Sequence, residues 1–118
     1  MGFYSDVQVV CGKRAAEAIR KAIEGDDDLK SCMKHIGGGE TCSVFGAESV
    51  KWYPGTPHVE AFESALDELD GKDGAEHAYK VLIINEDNST EERCNDAGAD
   101  EFCDFCAVCD FDNPYLCR

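Results

Sequence analysis

Three cysteines stand at the spacing C-x2-C-x2-C in the stretch CDFCAVC, residues 103–109. Thiolates at this spacing bind iron–sulfur clusters in bacterial electron-transfer proteins, where a fourth cysteine follows after about three residues and precedes proline. Here Cys117 follows after seven residues and precedes Arg118, so the iron–sulfur pattern is broken. A tetrahedral zinc site remains an alternative, because four thiols suffice for it. Its ligands would be Cys94, Cys103, Cys106 and Cys117.

The same stretch also alternates as a β-strand does. The residues that would share one face of that strand are Cys103, Phe105, Ala107, Cys109 and Phe111, and all of them are apolar. Cys106 falls on the opposite face, so a strand would keep the sulfur atoms from converging on one metal ion. We therefore predict a strand over residues 102–111, with no metal and no other cofactor. A small metal-binding or redox module that uses the C-terminal cysteines stays an alternative function.

The sequence shows no arrangement of residues that indicates catalysis. The histidines, His35, His58 and His77, are scattered, and none lies at ligand spacing from another. We therefore predict that the protein is not an enzyme. A basic cluster of Lys13, Arg14, Arg20 and Lys21 suggests a third function, a sponge that sequesters a nucleotide messenger.

Net charge is the most informative bulk property of this chain of 118 residues, which has 25 acidic and 11 basic residues. Residues 1–59 hold eight acidic and seven basic residues, whereas residues 60–118 hold seventeen and four. Such a field repels nucleic acids and membrane surfaces and attracts basic grooves. We therefore expect a basic protein partner, and neither nucleic acid nor membrane as a direct partner.

The N-terminal stretch MGFYSDVQVVCGKR lacks a basic region followed by an apolar one, so no signal peptide is expected. A cytoplasmic location follows as the expectation, and its reducing conditions would keep thiols free. Cys11, Cys32 and Cys42 each lie in a segment that reads as a strand, where a free cysteine behaves as a small buried apolar residue.

Hydrophobic periodicity predicts the order β-α-β-β-α-β followed by a last strand. The predicted strands cover residues 3–11, 32–36, 41–53 and 78–85, and the predicted helices cover residues 13–25 and 56–71. A loop is expected at residues 26–28. The acidic stretch 86–101 reads as a long connection, with a turn of helix from Ser89.

This order favours a single α+β domain over residues 1–118. We predict two helices on one face of a four- to five-stranded, mostly antiparallel sheet, as in ferredoxin-like domains.

Three segments of the chain resemble a group of small acidic proteins encoded by bacteriophages and prophages. These segments are MGFYSDV at the start, VKWYPGTPHVEAFESALDEL at 50–69 and YKVLIINEDNSTEER at 79–93. The chain departs from the group's pattern at positions 103 and 106, where cysteines replace the expected aromatic residues. The resemblance implies a phage origin and action inside a bacterial host cell.

A strongly acidic phage protein without catalytic residues suggests an inhibitor of a host defence system. The leading hypothesis is an inhibitor of anti-CRISPR or anti-restriction type, which occupies the basic nucleic-acid groove of its target by mimicking DNA or RNA. The residues predicted to bind the partner are exposed acids of the second helix and the connection after it. They are Glu60, Glu63, Asp67, Glu68, Glu86, Asp87, Glu91 and Glu92.

Overall fold

Five strands form one sheet in the computed structural model, which describes residues 4–53, 55–87 and 89–102. The strands are β1 (Ser5–Gly12), β2 (Lys34–Gly38), β3 (Cys42–Val50), β4 (Tyr79–Asn85) and β5 (Thr90–Cys94). Every neighbouring pair is antiparallel, and the order across the sheet is β2-β3-β1-β4-β5. The central strand is therefore β1, while β2 and β5 form the two edges.

Helices connect strands that are not neighbours in the sheet. α1 (Lys13–Gly25) and the short α2 (Asp27–Cys32) lead from β1 to the edge strand β2. α3 (Pro57–Asp70) leads from β3 to β4 and so crosses β1. This is the ferredoxin-like arrangement of a β-α-β-β-α-β unit, with β5 added beside β4. The predicted fold class is confirmed.

The main core lies between one face of the sheet and the two long helices. β1 contributes Val7, Val9 and Cys11, each 0% exposed. α1 buries Ala15, Ala16, Ile19 and Ile23, and α3 buries Val59, Phe62, Ala65, Leu66 and Leu69. Full burial of one large apolar side chain stabilises the fold by about 1.5–3 kcal/mol. The inner stripe of each helix therefore attaches it to the sheet, and the outer face is left to solvent.

Two short elements near residue 30 differ from the prediction. Residues 27 and 28, predicted as loop, begin α2, because the Asp26 side chain accepts a hydrogen bond of 3.0 Å from the Leu29 amide and caps the helix. Cys32 was predicted in a strand, but it ends α2 and is half-buried. The strand that follows begins only at Lys34.

The stretch 86–101, predicted as a long connection with a turn of helix from Ser89, contains two regular elements. Thr90–Cys94 forms the edge strand β5, and α4 (Asp96–Glu101) follows it. Hydrophobic alternation does not predict this strand, because polar residues occupy both of its faces. α4 is capped by Asn95, whose Oδ1 accepts a hydrogen bond of 2.8 Å from the Gly98 amide.

A smaller apolar cluster occupies the opposite face of the sheet. It consists of Val10, Val44, Ala78, Leu82 and Phe102. The strand predicted over residues 102–111 lies outside the described residues except for Phe102, which is the C-cap of α4. Within the described ranges, no helix is long and apolar enough to cross a membrane.

Candidate functional site

The acids of α3 spread across the exposed face of this helix. Pro57 occupies the first turn, and the buried stripe holds the other side of the helix against the sheet. Glu60 is exposed to solvent. Glu63 lines a cleft beside β5, and Glu68 lines a groove beside α1. The predicted α3 residues are therefore all exposed, and they span the outer face of the helix from its β5 side to its α1 side.

Strand β5 adds acidic and basic groups to the helix-covered side of the sheet. Its register pairs Glu91 with Ile83 and Arg93 with Val81, which belongs to the main core. Glu91 and Arg93 lie two residues apart, so they share this face. The edge strand thereby runs next to the acidic flank of α3.

Arg93 joins β5 to α3 through two carboxylates. Its Nη2 donates hydrogen bonds to Asp67 at 2.7 Å and Asp70 at 2.9 Å, and its Nε donates to the Tyr79 hydroxyl at 3.1 Å. The guanidinium also lies 5.9 Å from the centre of the Tyr79 ring. The Tyr79 hydroxyl donates to Asp70 at 2.5 Å. Burial is the main cause that raises the pKa of Tyr79 above its usual range, and the hydrogen bond to Asp70 raises it further.

A cleft of about 170 Å³ lies farther along the same α3–β5 boundary. Its apolar lining includes Trp52, Phe62 and Ile83, and its acidic lining residues are Glu63, Glu91 and Glu92. The Trp52 and Phe62 rings meet edge to face, with centroids 5.4 Å apart. An aromatic surface and two carboxylates from different elements therefore converge there.

Glu92 also lines this cleft, but its carboxylate pairs with a lysine on the other face of the sheet. Its carboxylate lies 3.4 Å from the Lys80 ammonium, whose side chain is 12% exposed. Lys80 alternates with Tyr79 and Val81 along β4, so its side chain lies on the other face of the sheet. The negative charge of Glu92 is partly balanced there, away from α3.

The turn between β4 and β5 holds the last two predicted residues, Glu86 and Asp87, and both are exposed. Asp87 accepts hydrogen bonds from the Ser89 amide at 3.0 Å and the Ser89 hydroxyl at 2.6 Å. These bonds lower the pKa of the Asp87 carboxyl. The amide of Glu86 donates to the Tyr4 carbonyl at 2.9 Å. Asp87 therefore also shapes the turn.

Of the predicted acids, the structure brings Glu63, Asp67 and Glu91 to one boundary. The name "α3–β5 acidic surface" is used below for Glu60, Glu63, Asp67, Glu68 and Asp70 of α3 with Glu91 of β5. Sequence reasoning missed Asp70, Trp52 and Arg93 as parts of this region. The helical spacing of residues 63, 67 and 70 was available as a signal, whereas the neighbouring strand was not.

The basic cluster of α1 does not form one anion site. Arg20 lies 5.5 Å from the centre of the Phe45 ring, and Arg14 pairs with Glu17 at 3.3 Å. Arg14 and Lys21 line a groove of about 1070 Å³ between α1 and α3. Basic residues on its other side are Lys72 and His77, but Glu17, Asp67 and Glu68 line it as well. These carboxylates oppose an anionic ligand such as a nucleotide.

The four described cysteines, Cys11, Cys32, Cys42 and Cys94, are free thiols. Burial raises the pKa of Cys11 to about 12, and its Sγ donates to the Ser43 carbonyl at 3.5 Å. Among the described residues, no group of three or more His, Cys, Asp or Glu could hold a metal ion. The other proposed zinc ligands, Cys103, Cys106 and Cys117, lie outside the described residues, so the metal alternative stays untested.

No protein-family model matches this chain, and no curated protein or solved structure matches it either.

Proposed function

We propose that this protein is a phage-encoded inhibitor of a bacterial defence protein, of anti-CRISPR or anti-restriction type. It acts in the cytoplasm of the host cell, where the α3–β5 acidic surface occupies the basic nucleic-acid groove of its target. The observation that supports this function best is the exposed face of α3, which has five acidic residues and no lysine or arginine.

The spacing of these charges resembles that of a nucleic-acid strand. From Glu60 to Asp70 the helix axis advances by about 15 Å, at 1.5 Å per residue. Five carboxylates over that length give roughly one charge per 4 Å, compared with about 3.4 Å per phosphate along one DNA strand. Glu91 widens the surface beyond the single helix, and Arg93 offsets one charge. A groove that binds a nucleic-acid backbone would therefore meet a comparable charge density.

The fold holds this surface in place before any partner binds. Buried residues anchor α3 on one side, and Arg93 joins it to β5 on another. Binding then requires little ordering of the backbone, and a preorganised surface loses less free energy to conformational entropy.

A phage-plating experiment tests the function directly. The chain is expressed in bacteria that carry a restriction system or a CRISPR system, and sensitive phages are plated on them. The test variant replaces Glu60, Glu63, Glu68 and Glu91 by Gln, which leaves the two ion pairs of Arg93 intact. The matched control removes the same charge elsewhere, from the exposed residues Asp27, Asp28, Glu40 and Glu48.

The proposal predicts that the wild type and the control raise plating in at least one of these strains, whereas the test variant does not. Equal protection by the test variant would contradict the assigned surface. A wild-type chain that protects against neither system would contradict the proposed targets.

A further inference from the structure

Two positions along the α3–β5 boundary each bring carboxylates next to an aromatic ring. At the first, the Arg93 guanidinium lies between the carboxylates of Asp67 and Asp70 and beside the Tyr79 ring. The molecule thus shows that this boundary accommodates a guanidinium between carboxylates and against an aromatic ring.

The second position is the cleft at Trp52, nearer to the start of α3. Glu63 precedes Asp67 by one helical turn, and Glu91 precedes Arg93 by two residues, so both lie on the same sides of the boundary as their counterparts. Trp52 and Phe62 supply the aromatic surface. Glu91 accepts a hydrogen bond of 3.1 Å from the Asn85 amide group, and Glu63 is exposed.

Charges around this cleft favour a cation. Among its described lining residues the one base is Arg93, which is already paired with two carboxylates. Glu63 and Glu91 therefore add negative charge that no described base of the cleft balances. An apolar ligand would leave these carboxylates desolvated, and a neutral polar ligand would not balance their charge.

We propose that the cleft binds the side chain of an arginine on the protein partner. A guanidinium can stack on the Trp52 ring while it donates hydrogen bonds to Glu63 and Glu91. A lysine ammonium offers the charge without the planar fork, so it binds less tightly. The inference rests on the proposed function for the basic nature of the partner. It adds a specific anchor to a surface that otherwise binds through its total charge.

The anchor can be measured without the natural partner, because Trp52 is the only tryptophan in the chain. The probe is a tetra-arginine peptide, titrated against the full chain while the fluorescence of Trp52 is recorded. A peptide of four citrullines serves as the neutral comparison. A peptide of four lysines serves as the comparison that has the charge but no planar group. The test variant is Glu63→Gln with Glu91→Gln, and its control, Glu60→Gln with Glu68→Gln, has the same net charge.

We expect a saturable change in fluorescence with tetra-arginine, weaker binding of tetra-lysine and none of the citrulline peptide. Loss of charge-assisted hydrogen bonds should weaken tetra-arginine binding about tenfold or more in the test variant. The control variant should change it by less than about threefold, as exposed charges outside the cleft do.

Equal weakening in both variants would overturn the cleft and leave a surface that acts by charge alone. Equal binding of the arginine and citrulline peptides would also overturn it. This comparison uses only the wild-type protein, so it does not depend on the folding of a variant. Failure of the proposed function gives a different result, namely selective arginine binding by a chain that protects no phage from a defence system.

Discussion

The two long helices lie side by side on one face of the sheet, yet their outer faces have opposite character. α1 has four lysine or arginine residues and two acidic residues, whereas α3 has five acidic residues and no lysine or arginine. Both attach to the sheet through an apolar inner stripe. Folding therefore requires similar inner residues from the two helices and leaves the outer ones free to differ.

The ion pairs of the two helices differ as well. On α1, Arg14 pairs with Glu17 within the helix, and both side chains are more than 60% exposed. On α3, Asp67 and Asp70 bind an arginine that comes from β5 and is 35% exposed. The acidic helix thus has a partly buried ion pair with a strand of the sheet, whereas the Arg14–Glu17 pair lies within α1 and is exposed.

The largest expected effects lie in the core, where the two helices should respond alike. Phe62→Ala in α3 and Ile19→Ala in α1 remove fully buried side chains. Each should lower the free energy of unfolding by about 2–5 kcal/mol through lost burial and a residual cavity. Urea unfolding measures both, and a change below about 1 kcal/mol in either would show that its helix is not held by the inner stripe.

Removal of an ion pair should destabilise the protein more at α3 than at α1. Arg93→Met removes three hydrogen bonds and leaves Asp67 and Asp70 without their shared cation, which should cost about 1–2 kcal/mol at this partly exposed site. Arg14→Met should cost less than about 0.5 kcal/mol. The same urea experiment tests this difference, and equal losses would show that the β5 contact does not stabilise α3.

A charge should be unfavourable in the core beneath the helices, whereas the outer faces of the helices carry many charged residues. Cys11 is fully buried, and burial raises its pKa from 9.0 to about 12. The folded state therefore favours the neutral thiol, and this contribution is complete below pH 9 and is lost as pH rises towards 12. Wild type should lose about 1 kcal/mol more than Cys11→Val between pH 8 and pH 10. Unfolding titrations at the two pH values measure this, and identical losses would contradict it.

The smallest effect is expected at the end of α1. Gly25 is its last residue, and a Cβ there would meet nothing within 4 Å. Gly25→Ala should raise stability by about 0.5–1 kcal/mol, because alanine loses less backbone entropy in a helix. A thermal melt shows the shift, and a lower melting temperature would indicate that the glycine is needed at this helix end.

The order of the elements could be predicted because local signals agreed with the fold. Apolar spacing predicted helices over residues 13–25 and 56–71, and the structure places α1 at the first range and α3 within the second. β5 could not be predicted, since Thr90, Glu91 and Glu92 give an edge strand no apolar face. Its stability comes from pairing with β4, a contact that local sequence does not contain.

The acids of the candidate site could be identified from composition, but their grouping could not. Glu92 lies next to Glu91 in sequence, yet it pairs with Lys80 on the other face of the sheet. Likewise, Trp52 and Glu63 meet Glu91 only through the register of β4 with β5. A register depends on long-range pairing, which charge counts along the chain do not reveal.

We propose that the α3–β5 acidic surface takes the place of a nucleic acid in the groove of its target. The most direct measurement is a displacement titration in which the chain competes with labelled DNA or guide RNA for a captured defence protein, at several salt concentrations. The wild type should displace the nucleic acid, and its affinity should fall steeply with added salt. Replacement of Glu60, Glu63, Glu68 and Glu91 by Gln should abolish displacement, whereas the control at Asp27, Asp28, Glu40 and Glu48 should keep it. Salt-insensitive binding that leaves the nucleic acid in place would contradict nucleic-acid mimicry by this surface.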